Sequence, residues 1–380
     1  MPVIVRCLTA LLLASFLQPA LAAPTPVAPP PKLDAKSWIL MDANSGRVIT
    51  SHDADRQLEP ASLTKLMTAY VVFQALRDGK INLDTPVPVS EHAWRAEGSR
   101  TFLKVGSHVT VLDLLQGMIV QSGNDASIAL AEAVAGTEAS FAGLMNMDAE
   151  RLGMKNTHFV NATGLPAEGH VSTARDMAIL ARAIVNDFQN EYRFYSERKF
   201  TWNNITQANR NGLLERDPSV DGMKTGHTEE AGYCLVASAK RQGMRLISVV
   251  MGTDSFKARE DSSLALLNYG FSFFETKRLF ARGAELAHPR IYGADGGTGI
   301  VGLRSDLYAT VPRGRIGEVK VQVVLKPHLT APITANTPVG RVQATLDGKL
   351  VAVQELYPLQ GVARGGLFRR GWDTIASWFS

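Results

Sequence analysis

Strand-forming sequence brackets the first two-thirds of this chain, and helix-forming sequence fills the space between. Near the N-terminus, "SWILMDANSGRVITSHDADRQLEP" reads as a strand, an Asn-Ser-Gly turn and a second strand. Far downstream, "YCLVASAKRQGMRLISVVMG" holds two β-rich runs around the turn Arg241-Gln242-Gly243, followed by a final helix near "REDSSLALLNYGFSFF". Between them, apolar residues recur at helical spacing from Ser62 to about Leu76 and from about Val111 to Val134. "STARDMAILARAIVND" repeats the pattern, with Ser172 and Thr173 as cap candidates and Met177, Leu180, Ala181 and Ile184 on one face. Strands this far apart in sequence with helices between them predict an α+β domain built on an antiparallel sheet.

That domain does not use the whole chain. Single cores rarely grow past about 250 to 300 residues, so 380 residues predict a second domain. After about Lys277 the character changes: "KVQVVLKP" alternates, and "VQATLDGKLVAVQ" sets Asp347-Gly348 between two alternating runs, a strong hairpin signal. A small all-β domain is expected there. Its "GADGGTG" reads as a loop, because no helix with a phosphate-binding lysine follows. The formal charge is only +4 with both signs interspersed, which gives no footprint for nucleic acid.

The N-terminus has the features of an export signal. Arg6 precedes an apolar run from Cys7 to Leu17, and Ala20-Leu21-Ala22 supplies small-x-small spacing for cleavage near Ala23. A membrane span would need about 20 apolar residues. A proline-rich linker, "PTPVAPPPKLD", follows. Cys7 would leave with the signal, so Cys234 stands alone in an apolar segment and is expected to be a buried core thiol. There is no CxxC, no HExxH and no clustered metal-ligand spacing, so neither a metal nor a cofactor is expected, and the GxSxG elbow is also missing.

Two stretches contain a serine followed three residues later by a lysine, "SLTK" at Ser62 and "SERK" at Ser196. In a helix, positions i and i+3 share a face; in a strand they point to opposite faces. Ser62 follows Pro60-Ala61 and opens the run "LTKLMTAYVVFQAL", which places it at a helix N-terminus where Lys65 can reach its hydroxyl. There the positive end of the helix favours developing negative charge and a neutral lysine, the combination that activates a serine. Ser196 and Lys199 precede the alternating "KFTWNN" and are expected along a strand, facing apart.

Two further elements follow in chain order: Ser122-Gly123-Asn124, the only Ser-x-Asn, and Lys224-Thr225-Gly226, the only Lys-Thr-Gly. With these three elements the chain resembles the low-molecular-weight penicillin-binding proteins of the D-alanyl-D-alanine carboxypeptidase group, the five/six type. "LLQGMIVQSGNDASIALAE", "NRNGLL", "VDGMKTGHTEEAGYCLVASA" and "GTDSFKARE" extend the similarity over nearly the whole mature chain. The resemblance implies a β-lactamase-like domain over 37–278, a β domain over 279–360 and an amphipathic anchor over 361–380, after a signal at 1–22 and a linker at 23–36.

It also implies a reaction. Ser62 would attack the penultimate D-Ala carbonyl of a peptidoglycan stem peptide, with Lys65 as base. Ser122 would pass a proton to the leaving amine, Asn124 would hold Lys65 and the substrate amide, and Lys224 would orient Ser122. Backbone N–H groups of Ser62 and His227 would form the oxyanion hole, and Thr225, Arg210 and Arg259 would receive the substrate carboxylate beside Gly226. β-Lactam antibiotics would acylate the same serine as inhibitors. No Glu-x-x-Leu-Asn motif lies between Ser122 and Lys224, so that adduct is expected to leave slowly. The alternatives are a DD-endopeptidase that cuts cross-links and a non-catalytic penicillin-binding scaffold.

The last segment, "LFRRGWDTIASWFS", projects Leu367, Phe368, Trp372, Ile375, Trp378 and Phe379 to one side of a helix and Arg369, Arg370 and Asp373 to the other. Following the flexible "GVARGG", it reads as an interfacial membrane anchor. The expected location is the periplasm, on the outer face of the inner membrane.

Overall fold

The computed structural model describes residues 27–365. The signal, the start of the proline-rich linker and the amphipathic segment 367–380 lie outside the described residues. In the first domain five antiparallel strands lie in the spatial order Val48–His52, Ser37–Asp42, Met244–Thr253, Gly232–Arg241 and Val220–Thr228. Trp38 sits opposite Val250, and Lys224 opposite Val236. All six residues of the strand Ser37–Asp42 are buried because helices cover both faces. Ile39 and Met41 join the core that holds the helices Lys65–Arg77 and Ala174–Asp187, whereas Trp38 and Leu40 pack with Leu266, Leu267 and Phe271 of the helix Phe256–Phe273. The alternation of a strand thus reads out as two cores, one on each side.

The turns explain why the strands pair as they do. Gln242 and Gly243 both have positive φ (48° and 83°), as do Asp347 and Gly348 (50° and 74°), the backbone form whose twist suits two-residue hairpins. Thr173 caps the helix Ala174–Asp187 by accepting from the Asp176 amide. Cys234 is buried in the strand Gly232–Arg241.

Two expected elements change form. The helix predicted from Val111 to Val134 is two helices, Val111–Val120 and Asn124–Ala135. Ser122 has φ 67°, which no right-handed helix can contain, and the apolar periodicity ran across the break. The second change concerns "SERK": Ser196 ends a short 3-10 helix, Glu191–Ser196, and its hydroxyl donates to the Arg193 carbonyl at 2.7 Å. Only Lys199 belongs to a strand. A local backbone acceptor captured the serine before the strand began.

The second domain follows the helix Phe256–Phe273 without a linker. Its strand Phe274–Phe280 pairs with Leu307–Pro312, so the change of character near Lys277 falls inside a strand. Beyond it, five strands in the order Glu285–Ala287, Val301–Gly302, Lys349–Pro358, Gly340–Leu346 and Lys320–Leu325 enclose a core that includes Ile291, Val301, Val342 and Leu356. "GADGGTG" is an irregular loop with no helix directly after it. At the junction Thr276 donates to Asp42 at 2.7 Å, and Arg47 donates to the Thr310 carbonyl.

Candidate active site

Ser62 lies on a 3-10 turn, Ala61–Thr64, immediately ahead of the helix Lys65–Arg77. This places it one turn upstream of the α-helix proper. The difference helps the chemistry, because three residues per turn bring i and i+3 into register. Lys65 Nζ lies 3.0 Å from Ser62 Oγ. Ala61, just before the serine, has φ 47°, a left-handed conformation that costs a non-glycine residue roughly 1–3 kcal/mol and is held here by surrounding packing.

Lys65 is 1% exposed and has no carboxylate partner among the described residues. Its amine instead touches Asn124 Oδ1 at 2.6 Å and the Thr163 carbonyl at 2.5 Å. Burial, reinforced by the nearby Arg210 cation, pulls its pKa down to about 7, against the opposing pull of Asp125 and Glu138. Close to neutral pH the amine can therefore be free to accept a proton from Ser62.

The second serine is set by the break between helices. Ser122 is 2% exposed, and its Oγ receives a hydrogen bond from Lys224 Nζ at 2.9 Å. The loop is pinned by the Gly123 amide on the Gly117 carbonyl (3.0 Å) and by Arg210 Nε on the Gln121 carbonyl (2.9 Å). Lys224 is buried too, and its pKa is held well below the usual value by burial first, then by the charges of Lys65, Arg210 and Arg259. Asn124 uses Oδ1 for Lys65 and donates through Nδ2 to the Glu97 carbonyl at 2.6 Å.

Lys224, Thr225, Gly226 and His227 lie on Val220–Thr228, an edge strand that leaves one side unpaired within its sheet. It passes so close to the catalytic turn that a Cβ on Gly226 would sit 3.0 Å from the Pro60 carbonyl oxygen and 3.3 Å from Ala61 Cβ. Glycine permits that approach. A cleft of about 140 Å³ results, lined by Ser62, Ser99, Ser122, Arg210, Thr225, Gly226, His227, Phe256 and Arg259. Arg259 is 2% exposed, donates to the Gly226 carbonyl at 3.2 Å and leaves its Nε without a partner. It makes no ion pair among the described residues. Its guanidinium lies over the rings of Phe256 and Tyr233, 4.8 Å and 5.8 Å from their centroids. His227 stacks on Tyr233 with ring centroids 4.0 Å apart.

Of the ten residues expected from the sequence, seven line this cleft, and Lys65, Asn124 and Lys224 sit behind it, joined to Ser62 and Ser122 by hydrogen bonds. Motif reading missed residues that act through backbone atoms or from behind. The Thr163 carbonyl is aimed at Lys65 by an Asn161 side chain that accepts from Thr163 N (3.1 Å), Thr163 Oγ1 (3.0 Å) and Gly164 N (2.7 Å). Buried His170 accepts from the Val160 amide through Nδ1 at 3.0 Å, so its Nε2–H donates to Thr64 Oγ1 at 2.8 Å. Burial lowers its pKa to about 4, so it stays neutral in this bridge. Among the described residues no cluster of potential ligands could hold a metal ion.

A buried lysine at hydrogen-bond distance from a serine, with a second serine–lysine pair across the cleft, defines a site for serine acyl transfer. The model described as D-alanyl-D-alanine carboxypeptidase matches residues 24–255, and that described as penicillin-binding protein 5, C-terminal domain, matches residues 274–364. The chain belongs to the D-alanyl-D-alanine carboxypeptidase family. It is 44% identical to D-alanyl-D-alanine carboxypeptidase DacA of Escherichia coli (strain K12) over 357 residues, 92% of this chain and 89% of that one. The crystal structure of penicillin-binding protein 5 from Haemophilus influenzae is similar at a TM-score of 0.83 and 43% identity, covering 89% of this chain and 100% of that one. Penicillin-binding protein D2 from Listeria monocytogenes, in its ampicillin-bound form, is similar at 0.59 and 30% identity, covering 64% of this chain and 100% of that one.

Proposed function

We propose that the protein is a serine D-alanyl-D-alanine carboxypeptidase that removes the terminal D-alanine from peptidoglycan pentapeptides through a Ser62 acyl-enzyme. The observation that carries this reading is Lys65: buried, 3.0 Å from Ser62 Oγ and drawn down to a pKa of about 7. A stem peptide adds along the free edge of Val220–Thr228, which brings its penultimate carbonyl over the catalytic turn. Ser62 Oγ attacks that carbon while Lys65 takes the hydroxyl proton, and backbone N–H groups of Ser62 and His227 receive the oxyanion. Ser122, its hydroxyl oriented by Lys224, relays to the leaving nitrogen the proton that Lys65 took from Ser62, which leaves Lys65 neutral again and Lys224 unchanged. Free D-alanine departs, and water resolves the ester.

Arg259, Arg210 and Thr225 answer the terminal carboxylate. The buried Arg259 Nε, which has no hydrogen-bond partner among the described residues, supports this, since a carboxylate oxygen can accept from it. Penicillin carries a carboxylate beside its reactive amide and acylates Ser62 as an inhibitor. The test is release of free D-alanine from a D-Ala-D-Ala pentapeptide, measured beside cleavage of a cross-linked dimer. Faster release from the monomer is expected; preference for the dimer would make the protein an endopeptidase, and penicillin binding with no release would make it a scaffold.

We also propose export to the periplasm and attachment to the outer face of the inner membrane through residues 367–380, on the strength of the apolar and basic residues there. Deleting everything after Gly366 is expected to move the protein from the membrane pellet to the supernatant with soluble activity intact. A truncated protein that still sediments with membranes would contradict this.

A further inference from the structure

Residues 96–104, of which Ser99 lines the cleft, run without helix or strand, yet they carry much of what holds Asn124. The Asn124 amide donates to the Ser99 carbonyl at 2.7 Å, and Asn124 Nδ2 donates to the Glu97 carbonyl at 2.6 Å. An irregular loop has no ladder to fix it, so something else must pin its backbone. Asp125 does so. It is 1% exposed; Oδ1 accepts from the Thr101 amide at 2.8 Å and from Ala126 at 2.9 Å, and Oδ2 accepts from Leu103 at 3.0 Å. No ion pair involves it among the described residues. Its charge is answered by those amides and by the N-terminal end of the helix Asn124–Ala135.

We propose that Asp125 is a positioning residue for acyl transfer, fastening the loop that fixes Asn124 and, through Asn124 Oδ1, Lys65. The inference rests on the reading of Ser62 and Lys65 given above. Its second arm is electrostatic. The titratable and charged groups around Lys65 are Arg210, Lys224, Asp125 and Glu138, with neutral His170 behind the catalytic turn; of these Arg210 opposes the ammonium, and Asp125 and Glu138 favour it. The two anions thus work against burial and Arg210. Removing the Asp125 charge therefore lets Lys65 shed its proton at lower pH.

The experiment is the pH dependence of acylation by penicillin, followed by intact mass in the full chain and in D125N. Wild type must be acylated, with a rate that rises through about pH 7; if it is not, the parent reading fails rather than this one. In D125N the loop loses its charge-assisted anchor, so the plateau rate is expected to fall about 10-fold or more. The acid limb is expected to move down by about half a pH unit or more. A folded D125N with the wild-type limb overturns the proposal and leaves Asp125 as a helix cap. Should D125N not fold, hydrogen exchange on wild type decides. The Thr101 and Leu103 amides are expected to be protected as strongly as core amides despite lying in a loop; exchange at free-loop rates overturns the proposal.

Discussion

Lys65→Arg is expected to leave Ser62 unacylated. Arginine keeps the positive charge but stays protonated at any pH at which the protein is folded, so it cannot accept the serine proton. The site gives it no second role to fall back on. Among the described residues Lys65 has no carboxylate partner, and its hydrogen bonds go to a hydroxyl, an amide oxygen and a carbonyl packed around a single nitrogen. Loss of a general base at the attack step lowers the rate by about 10³-fold or more. Intact mass after mixing with penicillin reads this directly: wild type gains the adduct within the mixing period, and the variant does not. Wild-type acylation should also fall as pH drops below about 7, because the amine is then ammonium. An acylation rate in Lys65→Arg within tenfold of wild type would remove Lys65 from the role of base.

Gly164→Ala is expected to be nearly as damaging, by a different route. Gly164 has φ 82°, and a Cβ there would stand 1.9 Å from the Ala61 carbonyl oxygen and 2.4 Å from its carbon. Neither partner can swing aside, since both are backbone atoms of the turn that carries Ser62. The left-handed conformation and the forced separation together should cost roughly 2–4 kcal/mol of stability. Activity should suffer more than stability. The same displacement draws the Thr163 carbonyl away from Lys65, and movements of about 1 Å at such sites lower rates by roughly 100-fold. Thermal unfolding and acylation of the folded fraction separate the two effects. A folded Gly164→Ala protein acylated at the wild-type rate would show that the loop is not needed to place the lysine.

Much of this arrangement could be read from the sequence because the relevant signals were local. Ser62 and Lys65 are three apart on a tight turn, Gln242-Gly243 and Asp347-Gly348 carry their turn chemistry in their own residue types, and Thr173 caps the helix it precedes. The parts that could not be read depend on tertiary placement. Nothing about Ser122 as a residue announces φ 67°; the backbone on either side of it is held by Gly117 and Arg210, and its hydroxyl by Lys224, which come from separate parts of the chain. Thr163 contributes a carbonyl, which every residue possesses. Asp125 was adjacent to a recognised motif, but its value lies in accepting from Thr101 and Leu103, contacts that appear only once the chain is folded. Ser196 shows the converse, a motif match without its geometry, because its hydroxyl is already bonded to Arg193.

The central claim is that one serine of this chain, Ser62, carries the acyl group. Brief incubation of the full chain with penicillin, acid quench, proteolysis and peptide mapping tests it with no substitution at all. The adduct is expected on the peptide containing Ser62 and on no other. An adduct on Ser122 or Ser196, or release of D-alanine from a pentapeptide with no acyl-enzyme ever trapped on Ser62, would contradict it.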